Sequence, residues 1–240
     1  MPAFDANELL DVVAAVESPI IVVATDEYGA TLKLWVDHAS KAGILPSVVA
    51  LVGPKTVVPE PARTVQFTAV KDTVIRHRTE AFVTLLNAGI SFTHSDADAF
   101  WQKDAKEDLA TYSEDLVYSQ GTIHPLAAWK TWGFVACCGL FRAKPTALNF
   151  LRAVLPAVHM SDQEPTNMQL IQRGIHWQAP GDPEHTAVVR SCMVKCWRKP
   201  LRGVCPDGLS VAILPMREYQ RIPVPGADAA AKIIHHLRLP

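Results

Sequence analysis

Long hydrophobic runs are missing from this 240-residue chain. The early apolar run Ile20 to Ala24 is far too short for a bilayer, which takes about 20 apolar residues. Nor do the first residues read as a secretory leader: Asp5, Glu8 and Asp11 stand where positive charge and an apolar core belong. The chain therefore reads as cytoplasmic, with no transmembrane segment. Excess charge of one sign is absent, with a net charge of -1. That excludes a global basic field for nucleic acid or an anionic membrane, local patches aside. Cysteine is sparse and odd in number, at five, which argues against a disulfide framework. Cys192, Cys196 and Cys205 lie near His185 in sequence, but their spacing matches no common zinc pattern. They are either ligands of a structural metal or reduced thiols. Cys137-Cys138 sits in an apolar run and reads as core. Internal repeats and low-complexity segments are absent too.

What is present is a chain that is 49% hydrophobic, enough for a sizeable core in one α/β domain spanning 1–240. Ile20 to Thr25 is a β-branched run typical of a strand buried on both faces. Thr31 to Ala42 reads as a helix with Leu32, Trp35, Val36 and Ala39 on one face, stopped by Gly43. Ser47 to Val52 is the next strand, so the opening is β-α-β with a right-handed crossover and a parallel sheet. After a proline-rich loop at Val57 to Pro61, Thr64 to Val70 reads as a strand and Asp72 to Asn87 as a helix. Ile90 to His94 is a strand that runs into Ser95-Asp96-Ala97-Asp98. Beyond it the alternation weakens. Leu116 to Ser119, Gly133 to Arg142 and Leu209 to Leu214 read as strands. Helices are expected from Pro145 and from Asp162 to Arg173, and the tail is interrupted by proline and glycine.

Asp96 and Asp98 stand where a buried strand leaves the sheet, and open parallel sheets bind ligands beyond the carboxyl ends of their strands. Two carboxylates one residue apart can share a divalent cation, to which a pyrophosphate adds further oxygens. The alternative is a solvated turn, since Asp is common in turns.

The segment Gly89 to Asp104, with its apolar strand, Asp96-Ala97-Asp98, Trp101 and Asp104, resembles the signature of the nucleotide-diphospho-sugar transferases. Gly133 to Arg142 is similar to that family's Asn-x-Gly strand, Asp162-Gln163 with Asn167 to its Asp-Gln-x-x-x-Asn helix start, and His235-His236 to its C-terminal histidine. The resemblance runs from about Ile20 to the C-terminus. It implies a GT-A, Rossmann-like fold: a mostly parallel central sheet flanked by helices, with an irregular C-terminal acceptor region. Residues 18–104 would form the nucleotide-sugar-binding half, and 105–240 the acceptor half with a metal-ligand tail.

The resemblance also implies roles. Asp98 would be the main ligand of Mn2+ or Mg2+, Asp96 would touch the metal or donor hydroxyls, and His235 or His236 would complete the site. Thr25, Asp26 and Tyr28 would hold the nucleoside, Tyr28 either stacking on the base or packing as a loop aromatic. One or more of Lys71, Arg76 and Arg78 would contact the donor diphosphate. Asp162 and Gln163 would face the reacting carbon, although Asp162 also suits a helix N-cap. The Asn of the Asn-x-Gly strand is replaced: the segment here is Cys137-Cys138-Gly139. Trp129 and Trp132, in the preceding loop, would form an acceptor platform with Gly139, or else belong to the core.

The activity implied is metal-dependent transfer of a sugar from a nucleoside-diphosphate donor to a saccharide, lipid-linked glycan, protein or modified DNA base, with retention favoured and inversion open should Asp162 deprotonate the acceptor. Two other readings compete with it: an Asp-dependent phosphotransferase or phosphatase, and a non-catalytic nucleotide-binding module. Lys195 to Arg202 is a basic run that either binds phosphates or is a solvated face.

Overall fold

The computed structural model describes residues 3–178, 180–224 and 226–235. The chain opens with helix α1 (Ala6–Ala14), capped by the Asp5 carboxylate, which accepts from the backbone N–H groups of Asn7 and Glu8. Then come β1 (Ile20–Ala24), α2 (Gly29–Lys41), β2 (Val48–Val52), β3 (Arg63–Gln66), α3 (Val74–Asn87) and β4 (Phe92–Ser95). The middle holds β5 (Phe100–Trp101), α4 (Lys106–Ala110), β6 (Leu116–Gly121), α5 (Leu126–Trp132), β7 (Val135–Ala143), α6 (Leu148–Val154) and α7 (Gln163–Gln172). The last part is mostly strand: β8 (His176–Gln178), β9 (His185–Val189), β10 (Cys192–Cys196), β11 (Leu201–Val204), β12 (Ser210–Ile213), β13 (Tyr219–Gln220) and β14 (Ile233–Ile234), with a 3-10 turn at Asp228–Ala230.

Nine strands form one α/β sheet in the order β3-β2-β1-β4-β7-β6-β12-β11-β8. From β3 to β4 every pairing is parallel. Antiparallel β7 then lies between β4 and β6; β12 pairs parallel with β6, and the far edge through β11 to β8 is antiparallel. The sheet is thus parallel in its first half and mixed in its second. Successive residues of β1 and β2 go to opposite faces, as the pleat requires. Ile21, Val49 and Leu51 join one core with Leu9 and Val13 of α1, Phe82 and Leu85 of α3, and Phe150 of α6. Ile20, Val22, Val48 and Ala50 join the other with Leu32, Trp35 and Val36 of α2. Burial on both faces is why these strands are continuous apolar runs.

Several elements depart from the sequence expectation. Helix α1 was not anticipated. Trp129 and Trp132 lie on α5 rather than in a loop; their helix ends at Gly133, which takes the left-handed conformation (φ 80°) that glycine tolerates. In the proline- and glycine-broken tail the expected strand at Leu209 to Leu214 is β12, but β10 and β11 are short antiparallel strands whose alternating burial leaves no long apolar run to read. Among the described residues no helix is long and apolar enough to cross a membrane.

Candidate active site

Strand β4 is flanked by β1 and β7, and it ends in the turn that carries Asp96 and Asp98. Two buried indoles pin this turn from below. Trp35 Nε1 donates to the Ala99 carbonyl at 2.9 Å and to Ser95 Oγ at 3.2 Å, while Trp101 Nε1 donates to Ser95 Oγ at 3.1 Å. The Asp96 N–H donates to the Gly139 carbonyl of β7 at 2.7 Å. The turn is therefore fixed on both sides before any ligand arrives.

Asp96 Oδ1 accepts from Arg78 Nη1 at 2.6 Å, and Arg78 Nη2 donates to Asp162 Oδ2 at 2.6 Å. One buried guanidinium on α3 thus joins the end of β4 to the start of α7. Burial works against the Arg78 charge, but Asp162 and Asp96 outweigh it and raise the pKa, keeping the group a cation. Burial would raise the Asp96 pKa, yet Arg78 and then His94 hold it well below the usual carboxylate range. His94 is wholly buried: Nδ1 lies 2.9 Å from the Ile21 carbonyl oxygen and Nε2 lies 3.0 Å from Asp96 Oδ1. Burial and the nearby Arg78 cation push its pKa down, against the pull of Asp96.

His235 follows β14 and is tied down twice, its N–H donating to Gln220 O at 2.7 Å and its carbonyl accepting from Arg221 Nη1 at 3.0 Å. Its Nε2 lies 3.0 Å from Asp98 Oδ1 and 3.9 Å from Asp96 Oδ2. Each of Asp96, Asp98 and His235 offers one ligand atom, and these atoms lie within 4.8 Å of one another. Two carboxylate oxygens and an imidazole nitrogen suit Mn2+ or Mg2+. The packing also fits a site built for close approach: a Cβ on Gly139 would overlap the His235 ring and stand 2.7 Å from Asp96 Oδ2. Burial opposes a charge on His235, but the hydrogen bond to Asp98 and the thiol of Cys137 beside the ring raise its pKa to about 9. Burial raises the Asp98 pKa, but the bond from His235 outweighs it and the net shift is downward.

These groups line a cavity of about 400 Å³. Of the residues singled out from sequence, Thr25, Tyr28, Arg78, Asp96, Asp98, Gly139, Asp162, Gln163 and His235 all face it. Thr25 is buried at the cavity wall, and among the described residues its hydroxyl has no hydrogen-bond partner. Asp162 occupies the N-cap position of α7 but makes no side-chain cap bond; its carboxylate goes to Arg78 instead. Gln163 donates to the His124 carbonyl. Asn167 does not reach the cavity: it accepts from Ala136 N–H at 3.0 Å and donates to the Ala136 carbonyl at 2.9 Å, locking α7 onto β7.

Other candidates lie elsewhere. The Asp26 carboxylate turns away to accept from the Lys55 N–H (3.1 Å) and Thr56 Oγ1 (2.8 Å), fastening the loop after β2. Arg76 points outward and pairs with Glu80, and Lys71 is exposed on the loop before α3. Trp129 donates to the Met193 carbonyl, and Trp132 packs on Phe134 and Trp177, so neither lines the cavity. His236 lies outside the described residues. Among the described residues, Cys192, Cys196, Cys205 and His185 form no metal-holding group; the cysteines are free thiols. Polar lining residues that the sequence reading did not single out are Thr31, Thr122, His124, Ser161 and Arg221. Arg221 helps lower the pKa of Asp98 and of Cys137. It carries no motif, and only the pairing of β13 with β14 brings it to His235.

A family model described as nucleotide-diphospho-sugar transferase matches residues 63–221. No curated protein matches the chain. Among solved structures, similar chains include the galactosyltransferase LgtC in complex with donor and acceptor sugar analogues, at 12% identity and a TM-score of 0.42 over 64% of this chain and 70% of that one. The apo WbbM bifunctional glycosyltransferase shares 10% identity, with a TM-score of 0.47 over 65% of this chain and 37% of its own. The apo glycosyltransferase GlyE of Streptococcus pneumoniae TIGR4 also shares 10%, with a TM-score of 0.44 over 65% of this chain and 44% of its own.

Proposed function

The chain belongs to the nucleotide-diphospho-sugar transferases, and from that premise we propose that it moves a sugar from a nucleoside-diphosphate donor to an acceptor hydroxyl, in a metal-dependent reaction with retention. The observation that carries this reading is the convergence of Asp96, Asp98 and His235 on one wall of the cavity. These three residues would hold Mn2+ or Mg2+. A cation bound there supplies positive charge against the charge that develops on the departing diphosphate. Thr25 and Tyr28, beyond the end of β1, take the nucleoside, Tyr28 with 39% of its surface open for stacking. Asp162 and Gln163 face the sugar from the start of α7, and Arg78 keeps the Asp162 carboxylate oriented.

In the transfer, the bond from the anomeric carbon to the phosphate oxygen breaks, a bond from that carbon to the acceptor oxygen forms, and the acceptor proton departs with the diphosphate. Retention is supported by the state of the cavity's carboxylates. Asp96 and Asp162 are ion-paired to Arg78, and Asp98 meets His235. Each is committed to a neighbour, so the acceptor proton goes to an oxygen of the leaving phosphate rather than to a side-chain base.

The test is a panel of nucleotide sugars with Mn2+, followed by nucleoside-diphosphate release and by the anomeric configuration of any product. One donor is expected to turn over only with metal. Asp98→Asn should lower that turnover by at least about a hundredfold without changing the melting temperature. Unchanged turnover in the variant, or release without metal, would sink the metal assignment; an inverted product would sink retention.

A further inference from the structure

Strands β9 and β10 stand apart from the main sheet as a two-stranded ribbon. Val189 pairs with Cys192, so the connecting turn is only Arg190-Ser191, and both residues have positive φ, 46° and 65°. That is a tight two-residue hairpin turn of the kind whose twist suits paired strands. One face of the ribbon is buried: Val194 and Cys196 join a small core with Met216, Ile222 and Val224. The other face carries the directly opposed pair Val188 and Met193, exposed by 74% and 64%. Next along the same face come Thr186 and Lys195, also opposed and exposed. Two large apolar side chains held outward on a tight hairpin have no internal packing purpose.

The charge around them is one-sided. From His185 to Pro206 there is no Asp or Glu, while Arg190, Lys195, Arg198, Lys199 and Arg202 all fall within that stretch. Arg202 pairs with Glu114; among the described residues none of the other four is ion-paired. Arg190 sits at the tip, and Lys195, Arg198 and Lys199 are exposed. In a chain of net charge -1, this is a local field of opposite sign to the whole.

We propose that the exposed face of the β9–β10 hairpin docks on an anionic lipid surface, Val188 and Met193 entering the interface while Arg190, Lys195, Arg198 and Lys199 meet lipid phosphates. An apolar pair ringed by cations matches the two layers of a membrane interface, apolar below and anionic above. Nucleic acid would meet the cations equally well but would leave aliphatic Val188 and Met193 in contact with water or phosphate, where aromatic rings would be needed to stack on bases. The hairpin is held rigidly for such a role. Gln120 donates to the Lys195 carbonyl at 2.6 Å and Trp129 to the Met193 carbonyl at 3.0 Å. Those two residues flank Thr122 and His124, which line the cavity, so docking brings the lipid surface beside that wall. The inference rests on the hairpin alone, not on what the cavity catalyses.

The experiment is co-sedimentation of the full chain with vesicles of phosphatidylcholine alone and of phosphatidylcholine with phosphatidylglycerol, at low and high salt. Binding is expected to the anionic vesicles only and to weaken with salt. Each basic residue near an anionic surface contributes roughly fivefold, so Arg190→Glu with Lys199→Glu should reduce partitioning by at least about twentyfive-fold. Val188→Asp with Met193→Asp should reduce it by at least about tenfold, even at low salt, with unchanged circular dichroism and melting temperature. Failure to bind anionic vesicles, or binding indifferent to both double variants, overturns the proposal. Capture of a single-stranded oligonucleotide that the charge variant abolishes, with no vesicle binding, overturns it in favour of nucleic acid.

Discussion

The two halves of the sheet are built on different terms. From β3 to β4 the strands run parallel, and β1 and β2 are packed on both faces; every residue of β2 is buried, while β3 is the exposed edge. From β8 to β12 the strands are short and antiparallel, and β11 alternates buried with exposed residues along its length. Two-sided burial makes β1 and β2 depend chiefly on apolar packing. One-sided burial leaves the far edge of the second half, at β11 and β8, to rely also on side-chain hydrogen bonds, turns and ion pairs such as Arg202–Glu114 and Arg173–Asp207. The cavity opens along the seam. Asp96 and Asp98 come from the end of β4 in the first half, Gly139 from β7 and Asp162 from the start of α7 in the second, and His235 from the small sheet of β13, β14 and β5. What ties the halves there is polar: the Arg78 bridge and the bond from the Asp96 N–H to the Gly139 carbonyl.

That contrast can be broken most severely in the apolar half. Phe82 is wholly buried between Phe92, His94 and Phe141. Phe82→Ala should cost about 4 kcal/mol in chemical denaturation, independent of pH through the carboxylate range. A loss under about 1 kcal/mol would mean that this core is not the foundation of the first half.

Arg78→Met tests the seam. It strands two carboxylates that a buried cation now serves, and should cost about 3 kcal/mol at neutral pH. Because Arg78 holds the Asp96 pKa below its unfolded value, the stability it confers is full above the ordinary carboxylate range and is lost as pH falls through the folded pKa. The gap between wild type and variant should therefore narrow as pH drops below about 4, unlike the gap for Phe82→Ala. Parallel pH curves for the two variants would refute the bridge.

The smallest effect expected is from Asn167→Ala. Its amide satisfies both polar groups of the Ala136 backbone, and leaving them unpaired in the core should cost about 2 kcal/mol. Urea unfolding would measure it. An unchanged midpoint would show that α7 is held on β7 by packing through Leu170 rather than by this clamp.

These halves also differed in how far they could be read. The strands β1, β2 and β4 and the helices α2 and α3 were legible because a strand buried on both faces is a continuous apolar run and a helix buried on one is a stripe. The antiparallel strands β8 to β11 were not, since they are three to five residues long and half exposed. Trp129 and Trp132 show the limit for single residues. Both were candidates for an acceptor platform, yet one serves the hairpin and the other an aromatic cluster, because an indole's payload is the same in either setting.

The local pattern by itself determined where strands end, and hence that Asp96 and Asp98 stand at a carboxyl edge of the sheet. It also made Gly139 a candidate, through the family resemblance. Only the tertiary structure decided which charges meet. Arg76 and Arg78 are two residues apart on one helix, where about 100° per residue sends them to nearly opposite sides; packing turned Arg78 inward to Asp96 and Asp162 and left Arg76 with Glu80. Arg221 carries no signal in the sequence, because its place depends on β13 lying beside β14. Ion pairs between residues as far apart in sequence as Arg78 and Asp162 depend on distance in space, which periodicity encodes only for near neighbours.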